Sequence, residues 1–279
     1  MTLFFIPILT QSQTKRALII GIGKQKDSSW NKINGDKDVP YVLEFLENAQ
    51  YEEIITCVNE QATKTGIVDA FIQLNNTCNP NDIVYIHFSG HGQQMTDAGQ
   101  DEADGWDESW IPYDAYREYC QNDKGEKHLT DDEIGTMLNN IRAKIGPNGK
   151  MLVVIDACHS GSGTREFDDS DESVRGISNK FEIPDIMHQK RNVSVGTQRW
   201  ITISACKDYQ SNFEMTGKKV GKLTYALWHI LNEKHQYTNK EFEKLIIQFM
   251  LANPNSRRIR QTPVLTESID GDRISDILQ

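Results

Sequence analysis

At 279 residues, with 30 Lys and Arg against 40 Asp and Glu, the chain carries a formal charge of −10 and is long enough to bury a substantial α/β core. Its 38% hydrophobic, 25% charged and 9% aromatic content is that of a globular chain, not of a disordered or fibrous one. The acidic balance argues against a nucleic-acid binder, which needs a clustered basic face to displace counterions, and suits basic partners or substrates.

Residues 17–22 (ALIIGI) form a continuous apolar run of the kind found in strands buried on both faces. In residues 39–49, Val42, Leu43, Leu46 and Ala49 recur at helical spacing. Residues 54–58 read as a second strand, residues 65–74 as a second helix and residues 82–89 (DIVYIHFS) as a third strand. Strand and helix alternate, so the sheet should be mostly parallel. Residues 90–122 have no sustained period and read as loop with a small hairpin. Thr130 followed by Glu133 is a capping box that opens a helix over 130–145, and residues 151–156 (MLVVID) are a fourth buried strand. Residues 161–199 lack periodicity and read as a long linker loop. Residues 200–204 and 262–265 read as strands, and 223–231 and 242–251 as helices. The whole predicts one α/β domain over 16–279, with helices on both faces of a central sheet of about six strands.

Five widely spaced cysteines, Cys57, Cys78, Cys120, Cys158 and Cys206, do not make a disulfide scaffold, and no CxxC pair suggests zinc. Residues 3–9 (LFFIPIL) fall far short of the roughly 20 residues that a membrane-spanning helix requires. Residues 1–15 read as a frayed tail or as the remnant of a secretory signal. The compartment therefore stays open: cytoplasmic, or secreted or periplasmic if that stretch is a signal remnant. No membrane partner is expected, and a monomer is preferred.

In an open parallel sheet, ligands bind beyond the carboxyl ends of the strands. Two strong strands end there in reactive residues: 82–89 runs into Gly90, His91 and Gly92, and 151–156 runs into Ala157, Cys158 and His159. An imidazole beside a thiol promotes the thiolate and can later protonate a leaving amine. The amides of Gly92 and Cys158 could converge on a developing oxyanion. The bland alternative is that Cys158 is a small buried hydrophobe and His91 a structural imidazole. His87, inside its strand, and His159, directly after the cysteine, are read as bystanders.

Residues 88–93 (FSGHGQ), 101–108 (DEADGWDE), 129–132 (LTDD) and 155–163 (IDACHSGSG), in that order, resemble the catalytic blocks of the metacaspases. The likeness covers roughly residues 15–270. It implies a caspase-type three-layer sandwich and a His91/Cys158 dyad in a cysteine endopeptidase that cuts after Arg or Lys. By the same resemblance the basic side chain would be held mainly by Asp156, with Ser89 and Asp38, and Asp208 would lie beside that pocket. Converging carboxylates in a dry cleft select a guanidinium or ammonium. The alternatives are that Asp156 caps a loop and Asp38 a helix.

The resemblance also implies calcium at Asp107, Asp131 and Asp132. The fourth matching position is Arg165, which cannot coordinate a metal, and Asp131 and Asp132 could equally complement the dipole of their own helix. Some family members cut themselves after a basic residue in the linker. Here Arg165, Arg175, Lys180, Lys190, Arg191 and Arg199 are all available, and the sequence does not choose among them. A second departure is Ala157 before the nucleophile, where many metacaspases have another cysteine. The expected partners are proteins or peptides with a basic residue at the cut. The reading from another class is a catalytically silent scaffold that binds basic peptides.

Overall fold

The computed structural model describes residues 13–99, 102, 104–158, 174–177, 179–184, 198–233, 236–254 and 259–279. A six-stranded sheet runs β2(Glu53–Val58), β1(Lys15–Gly21), β3(Ile83–Ser89), β7(Lys150–Asp156), β8(Ile201–Ser204), β9(Val264–Thr266). Every neighbouring pair is parallel except β8 and β9, which are antiparallel.

The strands are apolar on both sides because both sides are covered. Successive side chains of a strand point to opposite faces. Ala17, Ile19, Tyr85, Leu152, Val154 and Ile203 accordingly pack with α1(Gly35–Asn48), α4(Lys222–Glu233), α5(Asn239–Ala252) and α6(Ile274–Leu278). Leu18, Ile20, Val84, Ile86, Phe88 and Val153 face α2(Lys64–Thr77) and α3(Asp131–Ile145) instead. The result is the three-layer arrangement expected from the alternation of strand and helix.

The hairpin expected within residues 90–122 exists and is larger than its weak pattern suggests. β4(Gly92–Thr96) pairs antiparallel with β5(Trp106–Trp110), which pairs with β6(Leu129–Thr130) in a second, three-stranded sheet. β4 is an edge of that sheet. The five-residue α6 was not expected, since so short an element carries too few residues to show a period. Among the described residues no helix is long and apolar enough to cross a membrane.

The capping box at the start of α3 is present in both directions. The Thr130 hydroxyl accepts from the Glu133 amide, and the Glu133 carboxylate accepts from the Thr130 amide at 3.1 Å. These bonds satisfy two donors that a helix start otherwise leaves unpaired. Replacing Thr130 with Ala should therefore lower unfolding stability by about 1 kcal/mol. Urea denaturation measures this, and an unchanged midpoint would contradict it.

Candidate active site

The register of the central sheet builds the site. β3 and β7 are neighbours, and Ser89 lies opposite Asp156. His91 follows Ser89 by two residues and Cys158 follows Asp156 by two, so equal offsets carry both past the same sheet edge. Both are buried.

The His91 ring lies against the Trp30 indole, with centroids 5.0 Å apart. Its Nε2 is 2.8 Å from the Asn31 carbonyl oxygen. A carbonyl only accepts, so Nε2 carries the proton and Nδ1 keeps its lone pair. Nδ1 is buried and has no hydrogen-bond partner among the described residues. Burial lowers the pKa of this imidazole to about 4, against a smaller upward pull from the bond to Asn31, so the ring is neutral at pH 7.

Cys158 Sγ donates to the Gln210 carbonyl oxygen at 3.0 Å, and Cys206 Sγ approaches the same oxygen at 3.1 Å. Its hydrogen bond with Cys158, followed by burial, holds the Cys206 thiol well above its ordinary pKa. Cys206 therefore stays protonated beside the expected nucleophile.

Residues 174–177 of the chain itself occupy the cleft. Val174 bridges Phe213 in antiparallel fashion, and the Arg175 amide donates to the Asn212 carbonyl at 2.9 Å. The Arg175 carbonyl accepts from the Cys158 amide at 2.8 Å. Gly176 follows so closely that a Cβ there would lie 2.6 Å from the Cys158 carbonyl oxygen and 2.9 Å from its Cβ, both too close for any side chain. The Arg175–Gly176 peptide bond thus lies against Cys158. Of the two amides expected to form an oxyanion hole, the Cys158 amide makes this contact. Gly92 opens β4 opposite Trp110.

The Arg175 side chain is fully buried among carboxylates. Nη1 donates to Asp38 Oδ2 at 2.6 Å and Nη2 to Asp38 Oδ1 at 3.0 Å, a two-pronged pairing. Nη2 also donates to Glu214 Oε1 at 3.2 Å, and Nη1 lies 3.5 Å from Asp156 Oδ1. Burial alone would lower the guanidinium pKa, but Asp38, Asp156 and Glu214 together raise it above its ordinary value.

These carboxylates are themselves held in place. Asp156 accepts from Asn212 Nδ2 at 2.7 Å and from both the amide and the hydroxyl of Thr224. Asp38 accepts from the hydroxyls of Ser89 and Thr224 and from the Gly221 amide. Gly221 has no room for a Cβ, which would run into the Asp156 carboxylate and the Arg175 guanidinium. His87 Nε2 sits 2.9 Å from Ser89 Oγ and 3.2 Å from Thr224 Oγ1, so the imidazole read as a bystander in β3 braces the two hydroxyls that orient Asp38. Burial lowers its pKa to about 4, outweighing the pull of Asp38, and keeps it neutral.

Asp156, Ser89 and Asp38 therefore converge on one pocket, with Asp38 making the closest pairing, although the resemblance puts Asp156 first. Asp208 does not contact Arg175, although its charge acts on the Cys206 thiol beside Cys158. Asp208 is exposed, and no hydrogen bond or ion pair joins it to Arg175 among the described residues. Glu214 was missed, because it stands in no recognisable motif and is brought in by the Glu214 to Gly221 bridge across a turn. Asn212, Thr224 and Trp30 were missed for the same reason.

The three residues expected to bind calcium lie apart from this pocket. Asp107 is in β5, and Asp131 and Asp132 open α3. Among the described residues no three His, Cys, Asp or Glu side chains form a group able to hold a metal, and Arg165, Asp168 and Asp169 lie outside the described residues. Asp107, Asp131 and Asp132 are the part of the expected calcium set that lies within the described residues, and no catalytic step is routed through a metal. The region is nonetheless crowded with negative charge. Burial, followed by Glu108, Glu102 and Asp132, pushes the Asp131 carboxyl up to about 7. A carboxyl raised in the fold destabilises it most where it is ionised, above pH 7, and not at all below the unfolded value near 3.9. Asp131→Asn should therefore raise the melting temperature at pH 8, and this gain should vanish by pH 4. A gain independent of pH, measured by thermal scans at both values, would contradict the repulsion.

A family model described as metacaspase, peptidase C14 domain, matches residues 15–165. Metacaspase-1A of Aspergillus oryzae is 33% identical over 159 residues, 53% of this chain and 35% of its own length. Metacaspase-2 of Arabidopsis thaliana is 32% identical over 159 residues, with the same coverage. The matched stretch thus spans about a third of those relatives. Among solved structures, a Geobacter sulfurreducens protein superposes with a TM-score of 0.67 at 21% identity, over 95% of this chain and 97% of its own. Caspase-1 from Spodoptera frugiperda superposes at 0.58 with 11% identity, over 94% and 92%, a likeness of fold. With the family model covering more than half of its length, this chain belongs to the metacaspase family of caspase-like cysteine peptidases.

Proposed function

We propose that this protein is an endopeptidase that cuts after Arg or Lys through a Cys158/His91 dyad, and that its own Arg175–Gly176 bond is a substrate. One observation carries the reading: a buried Arg175 with its side chain on Asp38 and its carbonyl on the Cys158 amide. A charge buried this deeply is stable only when paired, and here the pairing groups flank the nucleophile.

In this mechanism the neutral His91 Nδ1 takes the Cys158 thiol proton and Sγ attacks the carbonyl carbon of the basic residue. The carbonyl oxygen becomes an oxyanion facing the Cys158 amide, which already donates to it in the resting state. Collapse breaks the C–N bond, His91 gives its proton to the departing amine, and a thioester remains on Cys158. Water, deprotonated by His91, then releases the carboxylate and restores the thiol. The pocket chooses the substrate. Three carboxylates in a dry cavity repel one another unless a cation enters, and the two-pronged geometry at Asp38 suits the guanidinium fork better than an ammonium.

Fluorogenic peptides ending in Arg, Lys or Asp test this. Turnover should follow the order Arg, then Lys, with none after Asp, and should fall by about 10⁴-fold or more in Cys158→Ala. Asp38→Asn, which removes the charge at the closest pairing, should lower kcat/KM for the Arg peptide by about 30-fold or more. Turnover that survives Cys158→Ala would remove the nucleophile, and equal cleavage after Asp would remove the acidic pocket.

A further inference from the structure

Beyond Gly176 the described residues up to Ile183 stay packed against the protein. Ile177 is buried in an apolar cluster with Trp30, Ile111 and Ala115. Asn179 offers its carbonyl to Gln93 Nε2 at 3.0 Å. Phe181 then adds itself to the free edge of β4: its amide donates to the Gln94 carbonyl at 2.8 Å and its carbonyl accepts from the Thr96 amide at 3.0 Å. The bridge it forms with Met95 is parallel. Its fully buried ring packs against His128, with centroids 4.2 Å apart. The Ile183 amide donates to Thr96 Oγ1 at 2.9 Å.

An exposed sheet edge pairs readily with an extended segment, in which main-chain bonds supply affinity and side-chain pockets supply selectivity. Resting on the peptidase reading, we infer that the Trp30, Ile111 and Ala115 cluster and the β4 edge form a docking groove for the leaving side of the substrate. It accepts glycine directly after the cut, an aliphatic side chain next and an extended aromatic-bearing segment beyond. In the uncut chain Gly176, Ile177, Asn179, Phe181 and Ile183 make these contacts. The observations behind this groove are independent of the basic pocket: the outer edge of β4, on which Phe181 pairs, the apolar cluster around Ile177 and a steric limit at Gly176 that only glycine meets. A substrate with this leaving side competes for the same contacts.

Two measurements test the groove. The first does not depend on activity. In full-length Cys158→Ala, hydrogen exchange at the Thr96 and Phe181 amides should be slow, and adding Ile177→Asp should speed both by at least about tenfold while the β3 amides stay protected. Exchange unaltered by Ile177→Asp would overturn the docking. The second uses internally quenched peptides that share an Arg at the cut and differ after it. Arg-Gly-Ile should be cut about tenfold faster than Arg-Gly-Asp, and Ala115→Leu, which fills the hole, should erase that preference. Equal rates for the two peptides, or a preference that survives Ala115→Leu, would overturn the pocket. Loss of all turnover with the exchange result intact would instead bring down the peptidase reading and leave the groove standing.

Discussion

The pairing of the Arg175 guanidinium with Asp38, Asp156 and Glu214 is the interaction on which the arrangement of the cleft depends. One positive charge sits among three negative ones in a space closed to water, so the pocket without its cation would be the less stable state. Such a site is costly to leave empty and selective about what fills it. Hydrogen bonds from Ser89, Thr224, Asn212 and the Gly221 amide fix the carboxylates before any cation arrives, which limits the reorganisation that binding requires.

The fold supplies the geometry with few resources. The parallel register of β3 and β7 puts Ser89 opposite Asp156, and the same two-residue step from each places His91 and Cys158 beyond one edge. The first turn of α1, packed against Ser89, delivers Asp38. Because the same chain later returns through the cleft as residues 174–177, the structure holds both the apparatus and a bound segment. Burial keeps His91 neutral, and its Nδ1 has no hydrogen-bond partner among the described residues.

Much of this was legible in the sequence. Apolar runs and helical spacing located β1, β3, β7, α2 and α3 to within a few residues, because both faces of the sheet are covered and the signals are continuous. The capping box at Thr130 marked the start of α3 correctly. The ends of two adjacent strands pointed to His91 and Cys158. What was not legible depends on contacts across long separations. Glu214 and Asn212 reach the pocket through a turn with no signature, and His87 looked like an ordinary strand residue although it braces Asp38 through Ser89. Residues 161–199 read as an unstructured linker, whereas Arg175, Ile177 and Phe181 in that stretch are buried. Their partners lie in other elements, so no local period announces them. The six basic residues of the stretch were indistinguishable by type, and burial and pairing separate Arg175 from Lys180 and Arg199 among the described residues.

Intact-mass analysis of the purified full-length protein, with amino-terminal sequencing of its fragments, tests the account most directly. Incubation of the wild-type chain should yield a fragment that begins at Gly176 and a complementary one that ends at Arg175, while Cys158→Ala stays whole. A chain that hydrolyses Arg peptides yet cuts itself only after another basic residue, or not at all, would show that Arg175 does not lie across the catalytic groups as described.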